Sequence, residues 1–134
     1  MARNKEEKTN VMRVLEQKRI AYTAHSYPHE EGVAVDGVTV AKSMGFDPVQ
    51  VFKTLVARGA SGQYYVFDVP VAESLDLKKA AKAVGEKSIE MIHQKELLPL
   101  TGYVHGGCSP VGMKKLFPTV FHETAENLET MIVS

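Results

Sequence analysis

Two spacings of apolar residues run along this chain and predict its elements in turn. Val11, Val14 and Leu15 recur at i, i+3, i+4 behind Thr9 or Asn10, either of which can cap a helix reaching about Lys18. Residues 21–27 are rich in β-compatible side chains and stop at Pro28, so they read as a strand. Acids and glycines make 28–37 a loop, and a short helix fits 39–44 with Gly45 as its C-terminal cap. Asp47-Pro48 is a helix-start signal with room for about one turn. The apolar run 52–58, a Gly-Ala-Ser-Gly turn and the run 64–69 then predict a β-hairpin. Leu77, Ala80, Ala81 and Val84 form one stripe between Asp76, a capping residue, and Gly85, a stop signal. A short strand at 89–92 and a helical turn at 95–98 halted by Pro99 follow. Residues 119–121 and 131–133 read as two more strands.

Hairpins and helices mix without a regular strand-helix-strand alternation. The expected class is α+β, with a mixed, mainly antiparallel twisted sheet flanked by helices. A length of 134 residues suits one domain over 1–134 with a core needing no staples. The apolar segment 131–133 runs directly into Ser134, the pattern of a domain shortened at its C-terminus.

Composition narrows the function classes. Sixteen basic residues balance sixteen acidic ones, which argues against a broad grip on a long polyanion and leaves room for a local contact. One cysteine, Cys108, excludes an internal disulfide and suits a reducing compartment. The charged start lacks the apolar stretch of a signal peptide, and no segment approaches the ~20 apolar residues that span a bilayer. A cytoplasmic protein without membrane contact is expected. Five histidines are scattered, and Pro28 breaks the helical face that His25 and His29 would need as zinc ligands. No metal and no cofactor are expected.

Chemistry concentrates in residues 101–115. Gly102, Gly106, Gly107 and Gly112 fall within eleven residues around Pro110, which makes a shaped loop able to bring backbone N–H groups against a carbonyl oxygen. The pattern is neither a phosphate loop nor a dinucleotide fingerprint. Cys108 has no histidine at a diagnostic spacing, and Ser109 lacks the setting of a nucleophile elbow, so neither reads as a nucleophile. Ser109 reads as a turn former or hydroxyl donor. Lys53 is the second candidate: strand alternation puts it with Leu55 and Ala57, while Phe52, Thr54 and Val56 take the other face. It either snorkels to water or presents an ammonium to a carbonyl or phosphate oxygen. Lys78, Lys79, Lys82 and Lys87 form a basic patch, extendable by Lys114 and Lys115, which is either a solvated face or a nucleic-acid backbone contact.

Three segments together, Phe52-Lys53-Thr54-Leu55-Val56, Leu75-Asp76-Leu77-Lys78-Lys79 and Thr101-Gly102-Tyr103 continuing through Gly106-Gly107-Cys108-Ser109-Pro110-Val111-Gly112-Met113-Lys114-Lys115, resemble the signature of the YbaK/EbsC family. Its members are freestanding relatives of the editing domain of bacterial prolyl-tRNA synthetase. The resemblance runs in order from about Val11 to Ser134. It implies release of cysteine from wrongly charged proline tRNA, with related members clearing alanine or other small residues. It implies as partners the acceptor end of that tRNA and prolyl-tRNA synthetase.

By the same resemblance Lys53 matches the essential lysine, with Thr54 following it. Gly106 and Pro110 match a Gly-x-x-x-Pro element around Gly107, Cys108 and Ser109 that positions the substrate carbonyl. Tyr27 matches a pocket aromatic, and Ser134 a serine that opens a further stretch. His122 stands where many relatives carry aspartate. An aminoacyl ester is already activated, so the expected mechanism is electrostatic: amides of 106–109 hold the oxyanion and Lys53 anchors the terminal phosphate or ester; for a cysteinyl substrate the resemblance implies that its own thiol attacks the carbonyl. A silent tRNA- or synthetase-docking module and a small-molecule or nucleotide-binding domain are the competing expectations. The retained Lys53, Gly106 and Pro110 favour the enzyme over the first, and the absence of a phosphate loop disfavours the second.

Overall fold

The computed structural model describes residues 9–25, 37–105 and 107–133. Helix α1 (Asn10–Gln17) starts where the Thr9 hydroxyl accepts the Met12 N–H. Helix α2 (Gly37–Ser43) ends at Gly45, whose φ of +79° is the left-handed geometry of a helix stop. Asp47 caps a single 3-10 turn, Pro48–Gln50, by accepting the Val49 N–H. Strands β1 (Phe52–Gly59) and β2 (Tyr64–Pro70) form the hairpin, and helix α3 (Leu77–Val84) lies between Asp76 and Gly85 as its stripe requires. Strand β3 (Ile89–Met91), helix α4 (Gln94–Thr101) and strand β4 (Thr119–Phe121) follow. No helix among the described residues is long and apolar enough to cross a membrane.

The sheet runs β3-β1-β2-β4. β1 is antiparallel to β2 and β3, while β4 joins β2 in parallel, so the fold is α+β with a mixed, mainly antiparallel sheet. Being central, β1 and β2 bury both faces, and each face has its own cover. On one, Ala57, Tyr65 and Phe67 pack with Ala80 and Ala81 of α3 and Ile89. On the other, Val56 and Val66 pack with Leu97 of α4 and Cys108. Each such large apolar side chain contributes roughly 1.5–3 kcal/mol.

Three expectations are corrected. Residues 21–25 are exposed and form no strand, because nothing in the sheet pairs with them; Tyr22 instead donates to Glu16 Oε2 at 2.6 Å, and the His25 ring meets Phe46 edge-on at 4.8 Å. Pro99 does not halt the turn at 95–98, since α4 continues to Thr101. The missing proline donor is tolerated because the ends are tied: Glu96 accepts the His93 N–H, the Thr101 hydroxyl donates to the Leu97 carbonyl, and Gly102 N–H donates to that of Leu98. Segment 131–133 forms only a one-residue parallel bridge, Val51 to Ile132, with Phe52 N–H donating to the Ile132 carbonyl at 2.9 Å.

Candidate functional site

The glycine-rich segment leaves α4, crosses the sheet face that carries Val56 and Val66, and reaches β4. Its shape is held from within. The Thr101 hydroxyl accepts the Tyr103 N–H, and the Thr101 carbonyl accepts that of Lys114. The Tyr103 hydroxyl reaches eight residues on to the Val111 carbonyl at 2.6 Å, while the Ser109 hydroxyl accepts the Val111 N–H. Gly112, at φ +78°, is where a side chain has no room: a Cβ there would stand 2.6 Å from Asn10 Nδ2 and 3.1 Å from the Tyr103 hydroxyl. Asn10 occupies that space to donate to the Gly112 carbonyl at 2.7 Å, so α1 also braces the loop.

Cys108 and Ser109 are buried, Pro110 is half-buried and Gly107 is exposed. Gly107 N–H is taken by the Val104 carbonyl at 3.0 Å. That removes one of the amides expected to face a substrate, and leaves those of Cys108 and Ser109 without a partner among the described residues. Burial pushes the Cys108 thiol up to about 11, with Thr101 opposing and the charge of Asp68 adding to the rise. A thiol so hard to ionise is a poor nucleophile, which agrees with the reading from spacing.

Beneath Cys108 lies a group that sequence reasoning missed. Asp68 faces Thr54 in the hairpin register, and the Thr54 hydroxyl donates to Asp68 Oδ1 at 2.6 Å. The residue is 0 % exposed, and Oδ2 has no hydrogen-bond partner. Burial raises its carboxyl to about 6 against the opposing effect of the Thr54 bond. The available signal was an acid inside the apolar run 64–70, in step with the buried positions 66 and 70.

Thr54, Asp68, Cys108 and Ser109 therefore come together on one side of the sheet. Lys53 does not join them by strand geometry: it pairs in register with Val69, and alternation gives it the face of Leu55 and Ala57. It is half-buried near the start of β1 and makes no hydrogen bond or ion pair with any described residue. Tyr27, Gly106 and Ser134 lie outside the described residues. Lys78, Lys79 and Lys82 are exposed on α3, whereas Lys114 and Lys115 belong to the loop across the opposite face. Lys114 is also engaged locally, its Nζ donating to the Pro99 carbonyl at 3.3 Å. His122, in turn, donates its N–H to the Asp68 carbonyl and keeps its ring on Thr124. A polar hollow at the turn end of the hairpin is lined by Arg58, Gly59, Ala60, Gly62, Ser88 and Glu90. It lies five strand positions from Lys53, roughly 17 Å, and its arginine is paired with Glu90.

Comparison with known proteins agrees with this architecture. Residues 32–134 match the family described as aminoacyl-tRNA editing domain. Over 135 aligned residues the chain is 44% identical to the Enterococcus faecalis protein named "Putative Cys-tRNA(Pro)/Cys-tRNA(Cys) deacylase EbsC", covering 100% of this chain and 82% of that one. A crystal structure described as "a putative trans-editing enzyme for prolyl tRNA synthetase" superposes with a TM-score of 0.62 at 32% identity, over 69% of this chain and 57% of its own. A scaffold used for epitope backbone grafting reaches a TM-score of 0.69 at 26% identity, over 89% and 73%. The hypothetical protein APE2540, at 17% identity, shares the fold with a TM-score of 0.81 over 94% and 81%.

Proposed function

The chain belongs to the aminoacyl-tRNA editing domain family, in its YbaK/EbsC branch, and from that premise we propose that it is a trans-editing deacylase releasing a small wrongly attached amino acid, cysteine from Cys-tRNA(Pro) in the first place. The observation that carries the reading is the pair of amides at Cys108 and Ser109, which have no partner among the described residues and are buried in a loop braced by Thr101, Tyr103 and Asn10. Donors fixed in advance stabilise charge on a carbonyl oxygen without reorganising as it develops, each being worth about 10²–10³ in rate.

In this reading the two amides receive the ester carbonyl oxygen. The cysteinyl sulfur attacks its own carbonyl carbon, a C–S bond forms, and the ester C–O bond breaks. The 3′-terminal ribose oxygen leaves and takes up the proton given up by the thiol. Water then opens the resulting thiolactone. Lys53, a cation with no partner among the described residues, is assigned to the terminal adenosine phosphate, because strand alternation gives it the sheet face opposite Thr54 and the two amides that receive the ester. By the family resemblance Gly106, Gly107 and Pro110 are assigned to positioning the substrate carbonyl and Tyr27 and Ser134 to recognising the amino acid, while Lys78, Lys79, Lys82, Lys114 and Lys115 are the candidate contacts to the tRNA backbone. The substrate thiol supplies selectivity that size alone does not, because one methylene discriminates by only ~1–3 kcal/mol.

A panel of Cys-tRNA(Pro), Ala-tRNA(Pro) and Cys-tRNA(Cys), with and without prolyl-tRNA synthetase, tests the proposal. Release from Cys-tRNA(Pro) that falls sharply in Lys53→Ala is the expected result. Release unchanged by that substitution removes Lys53 from the mechanism, and no release from any member removes the deacylase reading.

A further inference from the structure

Among the described residues Asp68 is the one buried carboxyl, and the deacylation scheme does not use it. It has no exposed surface, one oxygen held by Thr54 and the other without a hydrogen-bond partner, and it shares the sheet face of Val56 and Val66 on which Cys108 packs. We propose that Asp68 is a positioning residue: its carboxyl governs how firmly Cys108 and Ser109 sit on the sheet, and so how well their two amides are presented.

The surroundings supply no charge to balance it. From β1 it meets the Thr54 hydroxyl, and the Cys108 thiol, which burial keeps protonated, packs on the same sheet face close enough to feel its charge. From β4 it meets Phe121 in register and His122, whose N–H serves the Asp68 carbonyl while its ring is engaged by Thr124. From α4 come Leu97 and Thr101 around Cys108. No lysine, arginine or histidine among the described residues pairs with the carboxyl. An uncharged Asp68 is compatible with this dry seat. An ionised one, with Oδ2 unpaired, is relieved only when water reaches it, which requires the loop above to lift. Ionisation also sets a negative charge under the amides that are to receive an oxyanion. Both effects point the same way: raising the pH loosens the bend and weakens its catalytic use. The catalytic consequence rests on the deacylase reading; the structural one does not.

Cys108 is the sole cysteine of the chain and 6 % exposed, so its reaction with a thiol-exchange reagent reports opening of this loop. The readout is protection, the labelling rate of the urea-unfolded protein divided by that of the native protein at the same pH. With the carboxyl at about 6 in the closed state and 3.8 when open, protection should fall about tenfold between pH 5 and pH 7.5. It should stay level in Asp68→Asn, which keeps an acceptor for the Thr54 hydroxyl. Labelling should be insensitive to low urea, as local opening is. Over the same range kcat/KM of the wild type for Cys-tRNA(Pro) should fall relative to Asp68→Asn, through kcat rather than KM. Wild-type protection that does not change with pH, the same slope in Asp68→Asn, or labelling that rises steeply with low urea each overturns the proposal. If neither protein cleaves any aminoacyl-tRNA, the deacylase reading falls, and the labelling slopes still decide the role of Asp68.

Discussion

Replacing Asp68 by asparagine should change how the stability of the whole domain depends on pH. The carboxyl titrates near 3.8 when unfolded and at about 6 in the fold, where burial disfavours its charge. The folded state therefore holds the proton more tightly, so stability falls as pH rises between those two values and levels off above the higher. A difference of about 2 pKa units corresponds to about 3 kcal/mol over the full range. Between pH 4.5 and pH 7.5 the expected share is about 2 kcal/mol. Asparagine keeps the acceptor for the Thr54 hydroxyl and cannot ionise, although its amide introduces a buried donor costing about 1–3 kcal/mol at every pH. The absolute stability of the variant is thus less telling than its slope. Urea unfolding followed by circular dichroism at both pH values, on both proteins, isolates the quantity, since groups titrating alike in the two cancel. Parallel stability curves would refute the assignment of a buried, unbalanced carboxyl at position 68.

Gly112→Ala should destabilise the fold by about 2–3 kcal/mol and detach α1 from the loop, because a positive φ coincides with contacts to Asn10 and Tyr103. Gly45→Ala has the same sign of φ and open space around it, so about 1 kcal/mol is expected; equal losses in urea midpoints would contradict the steric argument. Glu86 accepts the Ser61 N–H and the hydroxyls of Ser61 and Tyr65, which holds its own carboxyl low and pushes the Tyr65 hydroxyl up. In Glu86→Gln the Tyr65 phenol should ionise at lower pH, seen in the ultraviolet absorbance of tyrosinate, and an unmoved titration would count against the contact. Glu86 is a depressed carboxylate, so what it adds to stability is lost as the pH falls through its folded value, a loss absent from the glutamine variant.

Much of this architecture was legible residue by residue. The four-residue stripe with an acidic cap and a glycine stop predicts α3 at its observed ends, and two apolar runs around a glycine turn predict the hairpin, because both signals are local and neither needs a distant partner. The failures share a physical origin. Residues 21–25 have strand propensity but no neighbour to complete a ladder, and Pro99 is accommodated in α4 by bonds at the ends of the helix.

The candidate site divides the same way. Lys53 and the residues of the Gly106 to Pro110 bend could be singled out from residue type, spacing and resemblance. Asp68 could not be read as one wall of a site, since its meaning comes from Thr54 across the hairpin and Cys108 forty residues later. By itself the sequence determined the helix stripes, the hairpin, the flexible-backbone positions and the family signature, all encoded within a few residues of each other. Tertiary structure alone decided which face of the sheet the loop covers, which amides stay unpaired and which carboxyl loses its water, because burial and pairing are properties of segments far apart in the chain that meet only in the folded state.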